Sequence, residues 1–427
     1  MTDISSVAVI GLGYIGLPTA AILAGSGLRV HGVDVNQRTV DAVNAGTVPF
    51  VEPDLDQFVN KAVAEGLLSA STETPAADAY IVAVPTPFHA DKSPDLSYIE
   101  AAGRSLAPQL WGGELVILES TSPPGATERL ADVIHGARPD LAEAGTLLFA
   151  HCPERVLPGK VMTELVTNDR IVGGSSPKAQ EVAKGLYETF CRGEILLTNL
   201  RTAEMAKLVE NSFRDVNIAF ANELSMISQE LDIDVWELIE LANHHPRVNI
   251  LQPGPGVGGH CIAVDPWFIV DAAPTASRII RSAREINDSK PQWVIDQVKA
   301  KAFDVQQATG RAPVIAALGL AFKPNIDDLR ESPALNIAVA MADQFTGSTI
   351  LAVEPHVGEL PAALAGRDNV ELVDPAVAIE RADIVVLLVD HAVFAELKPL
   401  AAGKHVVDTR GQWRDRTVEI QLTASSA

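Results

Sequence analysis

The chain is short of cysteine and of basic residues. Its three cysteines, Cys152, Cys191 and Cys261, cannot all pair within one chain, and so few thiols suit a reducing compartment. Basic residues number 33 against 55 acidic ones, which gives a formal charge of −22. This deficit argues against a nucleic-acid partner. An anionic ligand would instead need a local cluster of basic side chains and backbone amides.

Long apolar runs and repeats are also missing, and we expect no secretory leader. No uninterrupted apolar run is long enough to cross a bilayer, and no basic segment precedes the first apolar run at 7–10. No solenoid repeat or low-complexity tract is present. We therefore expect a cytoplasmic globular protein without a membrane partner.

The sequence does contain apolar, strand-like runs that alternate with helical segments, at a length sufficient for two or three domains. Strands buried on both faces and separated by helices predict a doubly wound parallel sheet. The predicted strands lie at 7–10, 29–33, 80–84, 115–118, 147–150, 170–172, 314–318, 349–353, 384–389 and 406–407.

A helical middle interrupts this alternation. One long helix is predicted at 201–231, with an apolar stripe along it, and a second at 277–302. The predicted fold is therefore α/β, with two Rossmann-like doubly wound domains joined by a helical central domain. The predicted domains are 1–198, 199–302 and 303–427. The helical centre also predicts a homodimer or a higher homo-oligomer.

A dinucleotide-binding motif lies at the first strand. Gly11, Gly13 and Gly16 form G-x-G-x-x-G between a strand and a helix, and Asp34 ends the next strand. The glycines allow a tight turn, a close approach of a pyrophosphate and helix packing, while the acid binds ribose hydroxyls. Because a carboxylate disfavours a 2′-phosphate, NAD is preferred over NADP. The motif alone leaves FAD, or a turn without a nucleotide, as alternatives.

Polar residues on the long helix and after two strands are candidate site residues. Lys207, Asn211 and Arg214 lie on one helix face, either lining a cleft or forming a solvated stripe. Thr121 and Glu154 follow strands at the sheet edge where α/β proteins bind ligands. Both could instead be cap or turn residues.

The segment PGPGVGGHCIAVDP at 253–266 has four glycines in six positions before Cys261, with Asp265 four residues later. Flexible backbone with exposed amides suits a thiolate nucleophile, since amides lower a thiol pKa and hold an oxyanion. The alternative is a buried cysteine beside a tight turn. His260 adjoins the cysteine, but neighbouring residues usually point apart. No metal site is predicted.

The order of these motifs resembles that of the UDP-glucose/UDP-hexosamine 6-dehydrogenase family. The resemblance continues through LAFKPNIDDLRESP at 320–333 and covers essentially the whole chain. Within the family, NHHPRVNI at 243–250 looks most like the UDP-N-acetyl-D-mannosamine branch. The glucose branch usually has Glu-Phe-Leu where this chain has Glu154-Arg155-Val156. UDP-N-acetylglucosamine and UDP-glucose are the alternative substrates.

The resemblance implies a four-electron oxidation of the sugar C6 alcohol to a carboxylate, with two NAD molecules used in succession. Cys261 would add to the aldehyde, and the second oxidation would leave a thioester. Lys207 or Asp265 would act as the base, directly or through water. Lys207 and Asn211 would stabilise the oxyanions, and Glu154 would direct the hydrolytic water through Thr121 or directly.

The resemblance also implies the ligand contacts. Those to NAD are Gly11, Gly13, Tyr14, Ile15, Asp34, Arg38, Thr86, Thr121 and Arg330. Those to the UDP-hexosamine are Glu154, Arg155, Lys207, Asn211, Arg214, Arg247, Gly258, Lys323 and Arg410. Arg247 would reach the substrate and could cross a dimer interface.

Two other functions share parts of this pattern. A two-electron β-hydroxyacid dehydrogenase could use the same nucleotide-binding domain and helical centre, but it has no need of Cys261. A noncatalytic nucleotide-sugar binder could keep the fold without the chemistry. The yield of NADH per substrate separates the three.

Overall fold

A computed structural model describes residues 4–157, 159–259 and 262–414 of the chain. They divide into two compact units. Residues up to Ser212 and Val264–Ser277 form the first unit, while Phe213–Ala263 and the residues from Arg278 onwards form the second. The three-domain division at 198 and 302 stays a prediction. Among the described residues, no helix combines the length and apolar character of a membrane span.

Each unit contains one sheet. The first sheet consists of β1 (Ser6–Ile10), β2 (Arg29–Val33), β3 (Leu68–Ser71), β4 (Ala79–Val82), β5 (Leu115–Leu118), β6 (Leu148–His151), β7 (Arg170–Gly174) and β8 (Ile195–Asn199). The second consists of β9 (Val314–Leu318), β10 (Thr349–Val353), β11 (Val370–Leu372), β12 (Ile384–Leu387) and β13 (His405–Asp408).

Helices surround and connect the strands. They are α1 (Gly16–Gly25), α2 (Gln37–Asn44), α3 (Leu55–Ala64), α4 (Ser97–Leu106), α5 (Ala126–Ala137), α6 (Pro139–Ala144), α7 (Val161–Thr167), α8 (Pro177–Tyr187), α9 (Leu200–Glu230), α10 (Val235–Asn243), α11 (Asp265–Ala272), α12 (Arg278–Thr309), α13 (Pro333–Gln344) and α14 (Pro375–Arg381). Short 3-10 helices lie at Ala107–Gln109 and Ala392–Ala401.

Strand order confirms the doubly wound prediction. The first sheet runs β3-β2-β1-β4-β5-β6-β7-β8 and the second runs β11-β10-β9-β12-β13. In both, the order reverses beside the first strand, and such a switch point is where α/β sheets bind ligands. One strand direction differs from the prediction. β7 pairs antiparallel with β6, and β8 is parallel to β7.

Burial on both sheet faces explains why the strands are apolar. Val7 and Val9 of β1 belong to one core cluster, while Ala8 and Ile10 belong to another. Because successive side chains of a strand point to opposite faces, each strand contributes to both cores. In the second unit, Ile315 and Ala316 divide between two clusters in the same way.

Three strands escaped prediction, and one helix is longer than predicted. β3, β8 and β11 each end a sheet, and their side chains are less buried than those of the central strands. The helix expected at 277–302 continues to Thr309. It ends at Gly310, whose φ of 72° is the left-handed conformation that glycine provides after a helix.

Two long helices pack in the second unit through a buried polar seam. Arg284 of α12 donates from Nη1 to Asp215 Oδ1 of α9 at 2.6 Å, and both side chains are buried. Asn287 joins this pair, and its Oδ1 accepts from Asn222 Nδ2 at 2.8 Å. Since each buried polar group is costly without a partner, the seam specifies how these helices align.

Candidate active site

The glycine turn after β1 has the geometry of a dinucleotide site. Gly11 has φ of 94°, and a Cβ on Gly16 would lie 1.8 Å from the Gly11 carbonyl oxygen. A Cβ on Gly13 would instead meet nothing within 4 Å. Two of the glycines are therefore required by the fold, and the third leaves space where a phosphate can approach backbone.

The Asp34 carboxylate is held beside this turn. Leu12 N–H donates to Oδ2 and Asn36 N–H donates to Oδ1, each at 2.9 Å. The α1 N-terminus has no side-chain cap, so its amides suit an anion. These residues fit a dinucleotide pyrophosphate and a ribose diol.

The remaining predicted cofactor residues of the first unit lie around the same edge. The exposed ring of Tyr14 stacks on Phe50 with centroids 4.2 Å apart, while Ile15 is half-buried and Arg38 exposed. Thr86 follows β4, and its buried Oγ1 has no hydrogen-bond partner among the described residues. A buried hydroxyl without a partner is costly, which is consistent with a ligand contact.

One face of α9 connects three parts of the first unit. Glu204 begins this face, and its carboxylate accepts hydrogen bonds from the backbone N–H groups of Gly125 and Thr127, at 2.6 and 2.8 Å. It also accepts from Thr127 Oγ1 at 2.7 Å. The loop that carries Thr121 is thereby tied to α9. Sequence reasoning missed Glu204, although it lies one turn before Lys207 on the same face.

The Glu154 loop is tied to α9 by an ion pair. Arg155 Nη2 lies 2.7 Å from Glu210 Oε1, and Glu210 precedes Asn211. Glu154 is buried, and its Oε2 accepts from Arg170 Nη2 at 3.1 Å. Arg170, on β7, is a second residue that sequence reasoning missed, because nothing along the chain pairs it with Glu154.

The third connection joins α9 to the start of α11. Asn211 Nδ2 donates to Asp265 Oδ2 at 2.5 Å. Burial raises the pKa of the Asp265 carboxyl to about 6, against the opposing effects of the Asn211 hydrogen bond and the Lys207 charge. A carboxyl with this pKa can both accept and release a proton near neutral pH. Lys207, Asn211 and Asp265 thus form one constellation.

In the second unit, the glycine-rich segment is fixed by backbone packing. Gly254 N–H donates to Asn222 Oδ1 at 2.9 Å, and a Cβ there would lie 2.6 Å from Arg410 Nη1. A Cβ on Gly258 would lie 2.5 Å from the Glu331 carbonyl oxygen. Packing against backbone therefore requires glycine at 258, whereas at 254 the close atom is the end of the flexible Arg410 side chain. His260 and Cys261 lie outside the described residues.

The loop after β9 carries Lys323 and Arg330. Lys323 is exposed with its Nζ 5.1 Å from the Phe322 ring centroid, and Arg330 pairs with Asp328 at 2.6 Å. Arg410 pairs with Asp390 at 2.7 Å. Arg214 and Arg247 have exposed side chains in this unit.

A buried carboxylate orders the base of that loop. Glu354 Oε2 accepts from Leu320 N–H and Ala321 N–H, at 2.8 and 3.0 Å. His391 Nε2 lies 3.1 Å from the same oxygen, and its Nδ1 accepts from Asn325 N–H at 2.9 Å. His356 completes a cluster with metal-ligand spacing. Because both nitrogens of His391 already have partners, the cluster is explained as loop support.

Three family models match the chain in the order that the fold shows. The NAD binding domain of the UDP-glucose/GDP-mannose dehydrogenase family matches residues 5–191, its central domain 201–289 and its UDP binding domain 316–415. The chain belongs to this family. It is therefore an NAD-dependent nucleotide-sugar dehydrogenase, and NAD is confirmed over FAD. The UDP binding domain contains the second sheet.

Individual relatives are similar over nearly the full length. An NDP-N-acetyl-D-galactosaminuronic acid dehydrogenase of Ralstonia nicotianae is 58% identical, covering 97% of this chain and 98% of the relative. A UDP-N-acetyl-D-mannosamine dehydrogenase of Yersinia pestis is 56% identical, covering 96% and 99%. The solved UDP-D-ManNAc dehydrogenase of Pyrococcus horikoshii is 37% identical with a TM-score of 0.83, covering 97% of each chain.

Proposed function

We propose that the protein oxidises the C6 alcohol of UDP-N-acetyl-D-mannosamine to the carboxylate of UDP-N-acetyl-D-mannosaminuronate. The reaction removes four electrons and uses two NAD molecules. The observation that carries the chemistry is the hydrogen bond from Asn211 to the buried Asp265. The Lys207 ammonium also interacts electrostatically with this carboxylate. The hexosamine is supported by similarity to the Yersinia relative.

The first oxidation needs a base and a stabilised oxyanion. The glycine turn and Asp34 would hold NAD, which would supply the acceptor for the hydride that leaves C6. Asp265 takes the alcohol proton through water, since its pKa of about 6 leaves it mostly ionised at neutral pH. Lys207 and Asn211 donate hydrogen bonds to the oxygen as its charge grows.

The second oxidation proceeds through Cys261. Its thiolate adds to the aldehyde carbon, and the oxygen gains a proton, which gives a thiohemiacetal. Loss of the second hydride, for which a second NAD would be the acceptor, leaves a thioester, and that proton passes back to the base. Water then adds, the C–S bond breaks, and the thiolate leaves. Glu154 orients this water, directly or through Thr121.

The nucleotide part of the substrate is assigned to basic residues of the second unit. Lys323 and Arg410 bind the UDP moiety, Arg330 binds the cofactor, and Arg247 reaches the substrate. The position of Lys323 on the loop of the UDP binding domain supports the first assignment. In a chain with net charge −22, such cations concentrate the attraction that a diphosphate requires.

A second substrate is supported by the Ralstonia relative, whose name refers to the galactose epimer. The test supplies NAD with UDP-N-acetylmannosamine, UDP-N-acetylgalactosamine, UDP-N-acetylglucosamine or UDP-glucose in separate reactions. NADH per sugar and product mass are recorded. We expect two NADH and a uronate from the mannosamine sugar. A clear preference for another sugar would reject the substrate, and one NADH would reject the thioester route.

We also propose a cytoplasmic homodimer. Phe213, Phe220 and Ile227 on α9 are exposed at 71%, 50% and 45%, and Leu231, which follows the helix, is exposed at 63%. The first three are seven residues apart, the spacing with which two helices pack together. Sedimentation of the purified protein and of F220E tests the interface. The variant should be monomeric, and an unchanged mass would reject this surface.

A further inference from the structure

We propose that Arg170 is a positioning residue for Glu154, and that Glu119 competes with Glu154 for its guanidinium. This inference rests on the proposed function, in which Glu154 orients the water that hydrolyses the thioester. It adds two residues, Arg170 and Glu119, that the sequence pattern does not connect with catalysis.

Arg170 lies at the start of β7 and is 4% exposed. Its Nη2 donates to Glu154 Oε2 at 3.1 Å, and its Nη1 faces Cys152 Sγ at 3.6 Å. The rings of Tyr187 and Phe190 flank the guanidinium, with centroids 4.8 and 5.2 Å from Cζ. Packing against both rings restricts the Arg170 guanidinium, so the fold determines the direction in which it points.

Backbone donors hold the other oxygen of Glu154. Arg155 N–H donates to Oε1 at 2.6 Å, and Val156 N–H donates to it at 3.1 Å. The carboxylate is therefore fixed from both sides, by the loop at Oε1 and by Arg170 at Oε2. Among the described residues, Arg170 is the only side chain with a hydrogen bond to Glu154. Shortening it should release one end of the carboxylate.

Glu119 is a second carboxyl group beside the same cation. It is fully buried just after β5, with Oε1 at 3.9 Å from Arg170 Nη1 and accepting from the Tyr187 hydroxyl at 3.1 Å. Burial, and then the Glu154 charge, raise the pKa of Glu119 to about 7, although Arg170 opposes them. At neutral pH and below, Glu119 therefore carries a proton for much of the time.

The other titratable groups that face Arg170 stay neutral in this range. Burial raises the pKa of the Cys152 thiol on β6 to about 12 and raises that of Tyr187 on α8 well above its ordinary value. The cluster thus holds one cation for two carboxylates. When Glu119 loses its proton at higher pH, its negative charge offsets part of the Arg170 charge and weakens the hold of Arg170 on the Glu154 carboxylate, so hydrolysis should slow.

The test compares R170K and E119Q with wild type in single-turnover reactions with NAD and UDP-N-acetylmannosamine. We expect R170K to keep the first hydride transfer within about three-fold and to slow release of the uronate by about ten-fold or more. A sugar adduct on Cys261 should accumulate in acid-quenched samples. E119Q places a neutral amide oxygen where the Glu119 carboxyl lies. The rate of hydrolysis in this variant should therefore not fall at high pH.

R284K is the matched control, because Arg284 forms an equally buried ion pair in the second unit. The proposal would be overturned if R170K slowed the first hydride transfer and uronate release equally and lowered the melting temperature as R284K does. That result would show a structural role alone. An alkaline decline that persists in E119Q would overturn the competition. The double variant R170K/E154Q should hydrolyse the thioester no more slowly than E154Q, because Arg170 acts through Glu154.

Crystal structures of wild type and R170K test the positioning role of Arg170 independently of the proposed function. If wild type yields no NADH with any UDP-sugar, the proposed function fails, while R170K still reports on Arg170. A Glu154 carboxylate that leaves its wild-type position in R170K supports the positioning role. A carboxylate that keeps its position overturns it.

Discussion

Asn211 on α9 and Asp265 at the start of α11 are 54 residues apart in sequence, and their side chains form a hydrogen bond of 2.5 Å. The bond fixes a buried carboxyl whose pKa is about 6 beside a helix that also carries Lys207. The proposed acid–base group is thereby held by an amide that is itself a predicted oxyanion donor.

Removal of that amide should shift the pH dependence of turnover. The hydrogen bond from Asn211 lowers the pKa of Asp265, so N211A should raise this pKa further and move the acid limb of kcat to higher pH. We expect kcat to fall by about ten-fold or more at pH 7. The matched control is N217A, which removes an amide that donates to the Phe213 carbonyl of its own helix. An unmoved acid limb in N211A would separate Asp265 from proton transfer.

Asp265 should lower the stability of the fold at neutral pH. Its pKa in the folded state lies above the ordinary 3.8, so the folded state binds the proton more tightly than the unfolded state. The stability linked to this proton is present below about pH 4 and is lost as pH rises through 6, by about 3 kcal/mol. D265N should therefore gain stability relative to wild type between pH 4 and pH 7 while losing turnover. Urea denaturation at both pH values measures this, and a pH-independent difference would contradict it.

Glu204 should matter far more than an exposed neighbour with the same charge. E204Q leaves three donors of the α5 N-terminus without a carboxylate, and we expect a loss of about 2 kcal/mol in the free energy of unfolding together with reduced kcat. The control E128Q breaks the exposed pair with Arg201 and should change little. Denaturation and steady-state kinetics compare the two. Equal behaviour of both variants would show that the Thr121 loop does not depend on Glu204.

Gly16 should tolerate no side chain, unlike a second glycine in the same helix. A Cβ at Gly16 would lie 1.8 Å from the Gly11 carbonyl oxygen, whereas the nearest atom to a Cβ at Gly25 is 4.0 Å away. G16A should lower NAD affinity by about a hundred-fold or fail to fold, because the turn must open. G25A should bind NAD as wild type does. Calorimetric titration with NAD distinguishes them, and normal affinity in G16A would refute the required turn.

Glu354 should control UDP affinity without touching the nucleotide. E354Q weakens the two backbone hydrogen bonds at the base of the Lys323 loop, and we expect UDP affinity to fall by about ten-fold. E371Q, which breaks an exposed pair with Arg381 in the same unit, is the control. Titration with UDP alone measures both. Unchanged affinity in E354Q would show that the loop is ordered by other contacts.

Much of the fold could be predicted from local pattern. Central strands such as β1 and β9 are apolar because both of their faces are buried. The glycine turn consists of residues that follow one another in the chain. Three of the four edge strands, β3, β8 and β11, escaped prediction, and their side chains are less buried than those of the central strands. The reversed direction of β7 also escaped, since apolar character says nothing about which way a strand runs.

The candidate site divides in the same way. The sequence by itself determined the nucleotide turn and the shared helix face of Lys207 and Asn211, because each depends on residues close together in the chain. The order of the motifs along the whole chain indicated the family. Only the tertiary structure decided that Asn211 contacts Asp265, that Glu204 ties the Thr121 loop to α9, and that Arg170 lies against Glu154 and Glu119. These contacts join distant segments, and their energies depend on burial, which strengthens a charge interaction and shifts a pKa only after the chain has folded.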